Sequence, residues 1–110
     1  MAYDEAFAER IRAELAHRAP DLREQKMFGG IGFMLNGNMC VGILGDRLIA
    51  RVPVEDTPAL LERPGVAPFA PTGRPMKGWL FVDREAVRTR PTLRTWVRRS
   101  IAFVDTLAPK

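Results

Sequence analysis

The chain has 110 residues, of which 46% are hydrophobic and 27% are charged, and its net charge is +4. This size predicts one domain, over residues 1–110, with a single hydrophobic core. No apolar run approaches the ~20 residues of a membrane span, and the N-terminal stretch is acidic and Ala-rich, unlike a signal peptide. We therefore expect a cytoplasmic protein with no membrane partner.

An apolar residue at every fourth position predicts an amphipathic first helix. The stripe consists of Tyr3, Phe7, Ile11 and Leu15. The helix should run from about residue 3 to 17, because Pro20 disfavours helix just before it. A polar link at 23–26 is expected to follow.

Two tight turns then predict three antiparallel strands. Asn36-Gly37 and Gly45-Asp46 each stand between apolar runs, which is the typical signal of a β-hairpin. The strands are expected at about 27–35, 38–44 and 47–52. Glycines at 29, 30 and 32 indicate a bulge or a close backbone approach in the first strand.

The second half of the chain predicts a helix, two strands and a helix. A short helix over 55–63 is followed by a proline-rich passage at 66–75, in which Phe69 could belong to a short strand. A strand over 76–82 would place Trp79 and Phe81 on the same face. Proline at position 91 predicts the start of the last helix, because an N–H group in the first turn of a helix has no hydrogen-bond partner within the helix, so proline loses nothing by lacking one.

The resulting order, α-β-β-β-α-β-β-α, predicts a two-layer α+β fold with one antiparallel sheet covered by helices. The strands are apolar on both faces, although a sheet with one solvated face should alternate. Either a loop such as 66–75 shields the second face, or another subunit covers it. We favour the subunit and expect a homodimer.

The residue types favour no catalytic centre. His17, Ser100 and Cys40 are each the single residue of their kind, and Gly29–Gly32 lacks the Lys and the helix of a phosphate-binding loop. We expect no enzymatic activity, no catalytic residues, no cofactor and no metal site. Cys40 is interpreted as a buried, inert thiol rather than a reactive one.

Two groups of residues are candidates for binding a partner. Arg74, Lys77 and Trp79 place two cations and an indole within six residues, which suits an acidic group or a nucleic-acid base. The alternative is that Trp79 belongs to the core and the two cations are merely exposed. Arg94 and Arg98 lie one turn apart on the polar side of the last helix, in a segment, residues 84–110, that carries seven basic and two acidic groups. Such a segment suits nucleic acid, although a solvated helix face is more common.

Several blocks of the sequence resemble the N-terminal domain of the TfoX (Sxy) family over nearly the whole chain. They are Met27–Met34, Asn38–Gly42, Arg63–Phe69, Gly73–Trp79 and Trp96-Val97. The resemblance implies a small α+β domain, similar in architecture to secretion chaperones, and a link to the regulation of natural competence. It implies no catalytic residues. We expect a stand-alone copy of this domain, without the second, helical domain of the full regulator.

The first hypothesis for function is therefore a non-enzymatic regulatory or adaptor domain that acts through contacts with an unidentified protein partner. Direct binding of nucleic acid through the arginines near the C-terminus is the second hypothesis. A small-molecule site near Arg74, Lys77 and Trp79 is the third.

Overall fold

The computed structural model describes residues 3–27, 29–70 and 72–110. Its helices are α1 (Glu5–Leu15), α2 (Thr57–Leu61) and α3 (Arg90–Val104). Its strands are β1 (Leu22–Met27), β2 (Gly30–Leu35), β3 (Asn38–Leu44), β4 (Arg47–Arg51), β5 (Val66–Pro68) and β6 (Trp79–Val82). Phe28 in the glycine-rich block and Pro71 in the proline-rich passage lie outside the described residues.

The six strands form one antiparallel sheet in the order β1-β2-β3-β4-β6-β5, which confirms the α+β class. Both predicted hairpin turns are present. Asn36 and Gly37 have positive φ angles of 54° and 83°, as a two-residue turn with the twist of the strands requires. Leu44 pairs with Arg47 across the second turn.

The sequence pattern misses one strand. Residues 22–27 form β1, at the edge of the sheet, where a polar link is predicted. Its sequence, LREQKM, is mostly charged or polar, as suits an edge strand that must not pair with other chains. The strand predicted from residue 27 therefore begins at Gly30, and the observed order is α-β-β-β-β-α-β-β-α.

Side-chain caps fix where the two long helices begin. The backbone amide of Phe7 donates to Asp4 Oδ1 at 3.2 Å, and that of Thr92 donates to Thr89 Oγ1 at 3.3 Å. Proline 91 occupies the first turn of α3, as predicted. The helix α1 ends at Leu15, earlier than predicted, and continues as a 3₁₀ segment that contains Pro20.

The main core lies between the helices α1 and α3 and one face of the sheet. Phe33 of β2, Leu48 of β4 and Leu80 of β6 are wholly buried there. From the helices, Phe7, Ile11 and Leu15 of α1 and Leu93, Trp96, Val97, Ile101 and Val104 of α3 pack against them. The stripe of apolar residues predicted for α1 thus faces the sheet.

Cys40 is wholly buried in this core, as the sequence predicts. Burial raises the pKa of its thiol to about 12, so almost no thiolate is present at pH 8. We expect no reaction with a thiol-specific disulfide reagent at pH 8 while the protein is folded, and complete reaction in denaturant. Fast labelling of the native protein would contradict this placement.

Candidate interaction surface

The other face of the sheet, which we call the open face, is not covered by a helix in the described part of the chain. Strand alternation and register place its residues. They include Arg23, Gln25, Gly32, Met34, Met39, Gly42, Leu44, Arg47, Ile49, Arg51, Trp79 and Phe81. Trp79 and Phe81 share this face, as predicted.

A loop shields one part of the open face. Phe69, directly after β5, packs against Ile49 and Phe81 in a small second cluster in which each residue is less than a tenth exposed. The rings of Phe69 and Phe81 meet edge to face, with centroids 4.9 Å apart. The backbone amide of Met76 donates to the carbonyl of Phe69 at 2.9 Å and closes the loop. The first of the two alternatives, a loop over this face, is therefore present here.

The neighbouring part of the open face is formed by glycine and methionine. Gly32 and Gly42 are directly opposite each other on β2 and β3, so neither strand raises a side chain there. Met34 and Met39 form the next pair, and both are half-buried. Both glycines are buried, and a Cβ atom built on Gly42 would lie only 2.7 Å from the terminal methyl of Met39. The adaptable thioether side chains therefore cover the glycines and form this part of the surface.

Two arginines of β4 lie over aromatic rings of this face. The guanidinium of Arg47 is 3.7 Å from the centroid of the Phe81 ring, and that of Arg51 is 5.0 Å from the centroid of the Trp79 ring. Arg51 Nη1 also donates to the carbonyl of Met39 at 3.4 Å. The rings hold the two cations in place without neutralising them.

The charge of the open face has a single sign. The strand positions given above carry three arginines and no carboxylate. Asp46 and Asp83 line a hollow beside Arg47 at the end of the sheet, but within the described ranges neither forms an ion pair with it. The surface is therefore apolar at its centre and cationic at its margins.

The structure separates the three residues predicted near position 77. Arg74 and Lys77 are exposed on the turn that leads into β6, whereas Trp79 is half-buried on the open face. The cation beside its ring is Arg51, which the sequence pattern did not single out. The alternation Arg47-Ile49-Arg51 indicates two arginines on one face of a strand, but it does not indicate that this strand pairs with β6.

The family model for the TfoX N-terminal domain matches residues 14–104 of the chain. The chain belongs to the TfoX N-terminal domain family. No curated protein and no solved structure matches it. The three helices and the six-stranded antiparallel sheet agree with the fold that the resemblance implies.

The two predicted arginines of α3 in this TfoX domain have different surroundings. Arg94 Nε lies 2.9 Å from Glu14 Oε1, and Arg90 Nε lies 3.5 Å from the other oxygen of the same carboxylate. The Glu14 side chain is only 7% exposed, so this contact joins α1 to α3 inside the domain. Arg98 is exposed and takes part in no ion pair of the described residues.

Replacing Arg94 with alanine should therefore weaken the fold, because the nearly buried Glu14 carboxylate would lose its nearer partner. We expect a loss of about 2 kcal/mol, less than the ~3–5 kcal/mol of a fully buried pair, since Arg90 remains close. The control Arg98→Ala should change the free energy of unfolding by no more than about 0.5 kcal/mol. Urea unfolding measures both, and equal effects would contradict the structural role of Arg94.

The described residues of the TfoX domain contain no cluster of three or more His, Cys, Asp or Glu placed to hold a metal ion. Among them, no helix is both long and apolar enough to cross a bilayer. His17 is exposed in the 3₁₀ segment after α1, far in sequence from the buried Cys40. What the surface offers is an apolar and cationic face suited to contact with another macromolecule.

Proposed function

We propose that this TfoX N-terminal domain is a non-enzymatic regulatory adaptor that binds an acidic surface of a partner protein on its open face. One observation carries the proposal: Met34, Met39, Trp79, Arg47 and Arg51 share a single face that has no carboxylate at its strand positions. Aromatic residues, methionine and arginine are the types enriched at protein interfaces, whereas aspartate, glutamate and lysine are depleted.

The arrangement of the arginines supports the same proposal. Trp and Arg are the residues that most often dominate binding energy at interfaces, and here Arg51 stacks on Trp79. Because the rings already hold Arg47 and Arg51 in position, a partner would order little further side chain on binding. Their charge would select acidic partners over basic ones.

A second copy of the chain is the other possible occupant, and the homodimer expected from the sequence stays a prediction. Two open faces packed together would bring Arg23, Arg47 and Arg51 of both copies into one interface, where like charges oppose association. We therefore favour a different protein. Light scattering at tens of micromolar measures the oligomeric state directly.

Nucleic acid is the second candidate from the sequence, and the geometry supports it less. Arg94 is already paired with Glu14, and the Phe69 and Phe81 rings are too deeply buried to stack on bases. Phosphate contacts would give binding that weakens steeply as salt rises. Absence of duplex binding at ~50 mM salt would exclude this function.

Cytoplasmic residence and a part in the regulation of competence are proposed on the sequence and on the family resemblance alone.

The decisive test of the adaptor role is capture of the partner with purified domain, followed by reconstitution of the pair. Leu44→Glu and Arg47→Glu should each weaken the reconstituted complex at least tenfold. The control Arg88→Glu, in an exposed residue outside the open face, should not. Equal affinity of all three variants would contradict the proposal.

A further inference from the structure

The two faces of the sheet are covered unequally by the described residues. One face carries the helices α1 and α3, whereas the open face carries a loop that places Phe69 over Ile49 and Phe81. The strands β2 and β3 are nevertheless apolar on both faces, as the alternation and burial of their residues show. Such strands are typical of a sheet that is covered on both sides. A second layer over β2 and β3 would therefore complete the packing.

The uncovered part of the open face has the width of one helix. Three strand spacings separate β1 from β4, which is about 14 Å. Phe69 closes the side at β4, where it covers Ile49, and β1 is the edge of the sheet on the other side. An α-helix with its side chains is about 10–12 Å across. About 13 residues of helix match the ~20 Å length of the six-residue strand β2.

The backbone of the sheet decides the kind of segment that fits. The N–H and C=O groups of β2 and β3 point within the sheet to the strands on either side. An extended segment laid on this face would find no backbone partner and would leave its own amides and carbonyls buried and unpaired. A second sheet would need the area that Phe69 occupies. A helix satisfies its backbone internally and presents only side chains.

Three arginines stand at corners of this area. Arg47 and Arg51 lie four residues apart on β4, which is about 14 Å along the strand. Arg23 lies on β1, opposite Met34, which in turn is opposite Met39. A helix lying along β2 and β3 would therefore have one arginine on one flank and two on the other. Acidic residues on both flanks of that helix would complement these charges.

Resting on the docking role proposed above, we propose that the open face binds a single amphipathic helix of the partner protein, with acidic residues on both sides of its apolar stripe. The stripe packs on Met34, Met39 and Leu44, where unbranched thioether side chains fill irregular gaps. Its acidic residues meet the arginine of β1 on one side and the two arginines of β4 on the other.

The test uses the whole domain and a displayed library of random 18-residue peptides. Sequences are selected on the wild-type protein and counter-selected on Leu44→Glu. We expect enriched peptides with apolar residues at positions i, i+3 or i+4 and i+7, flanked on both sides by Asp or Glu. One is synthesised with proline, and in a matched copy with alanine, at a central position outside the apolar stripe. The alanine copy should gain helical circular dichroism on binding, and the proline copy should bind at least tenfold more weakly.

Variants of the domain locate the bound peptide. Arg23→Gln and Arg47→Gln, on opposite flanks, should each raise the Kd of the alanine copy about threefold, which is the range of exposed ion pairs. The control Arg88→Gln, in an exposed residue outside the open face, should leave the Kd unchanged. Arg23 and Arg47 are exposed, so these variants keep the test valid even if Leu44→Glu unfolds the domain.

Four results would overturn the inference. They are enriched peptides with alternating apolar residues, equal affinity of the proline and alanine copies, no effect of either arginine variant, and a dimer in light scattering that Arg47→Glu dissociates. Failure of the adaptor role looks different, because the captured partner would then bind Leu44→Glu and Arg47→Glu as tightly as the wild type. A partner that those variants reject but that docks without a helix would contradict this inference alone.

Discussion

Replacing Gly30 with alanine is expected to lower the free energy of unfolding by about 3 kcal/mol or more, which is the upper end for an overpacked site. A Cβ atom at this position would lie 2.0 Å from the carbonyl oxygen of Ile43 and 3.2 Å from the Cα of Leu44. Both are backbone atoms of the neighbouring strand β3, so no change of rotamer relieves the clash. Urea unfolding followed by circular dichroism measures the loss.

Gly73→Ala is the control for this prediction. A Cβ atom on Gly73 would have no neighbour within 4 Å, although its φ of +88° makes any side chain unfavourable. We expect Gly73→Ala to lower the free energy of unfolding by only about 1–2 kcal/mol, which is the usual penalty for a side-chain-bearing residue in the left-handed conformation. If Gly30→Ala lowered the free energy of unfolding by no more than Gly73→Ala does, the result would contradict the close approach of β2 to β3 described here.

The second large effect is expected at Phe33, at the centre of the helix-covered face. Phe33 is wholly buried in the main core. Truncation of such a side chain to alanine costs about 3–5 kcal/mol through lost burial and the cavity that remains. For a domain of this size that loss is a large part of the total stability, and calorimetry should show a melting temperature lower by about 12 °C or more.

Trp79→Ala is the matched change on the open face. Its ring is half-buried and lies under Arg51, so truncation should lower the free energy of unfolding by about 1–2 kcal/mol, less than at Phe33. The same change should weaken partner binding at least tenfold, which is about 1.4 kcal/mol. Equal destabilisation by Phe33→Ala and Trp79→Ala would show that both faces serve as core.

Local signals predicted much of this fold. The turns at Asn36-Gly37 and Gly45-Asp46 depend only on adjacent residues, and the alternation at Trp79 and Phe81 assigned their shared face. The strand β1 gave no such signal, because an edge strand with one neighbour needs no apolar alternation.

The site was harder to predict because it depends on pairing between distant parts of the chain. Arg51 stands opposite Trp79 only because β4 pairs with β6, and no local pattern indicates that register. Likewise, Arg94 is paired because α1 brings Glu14 to it. A basic helix face in the sequence could not distinguish this structural arginine from the exposed Arg98.

Site-specific photo-crosslinking in the cells that make the protein tests the central claim most directly. A benzophenone side chain is placed at Met39 on the open face and, as a control, at Glu9, whose side chain is 67% exposed on α1. We expect one prominent protein adduct from position 39, none from position 9, and loss of the adduct when Leu44→Glu is added. The absence of a protein adduct at position 39, or identical adducts from both positions, would contradict the assignment of the open face as a docking surface.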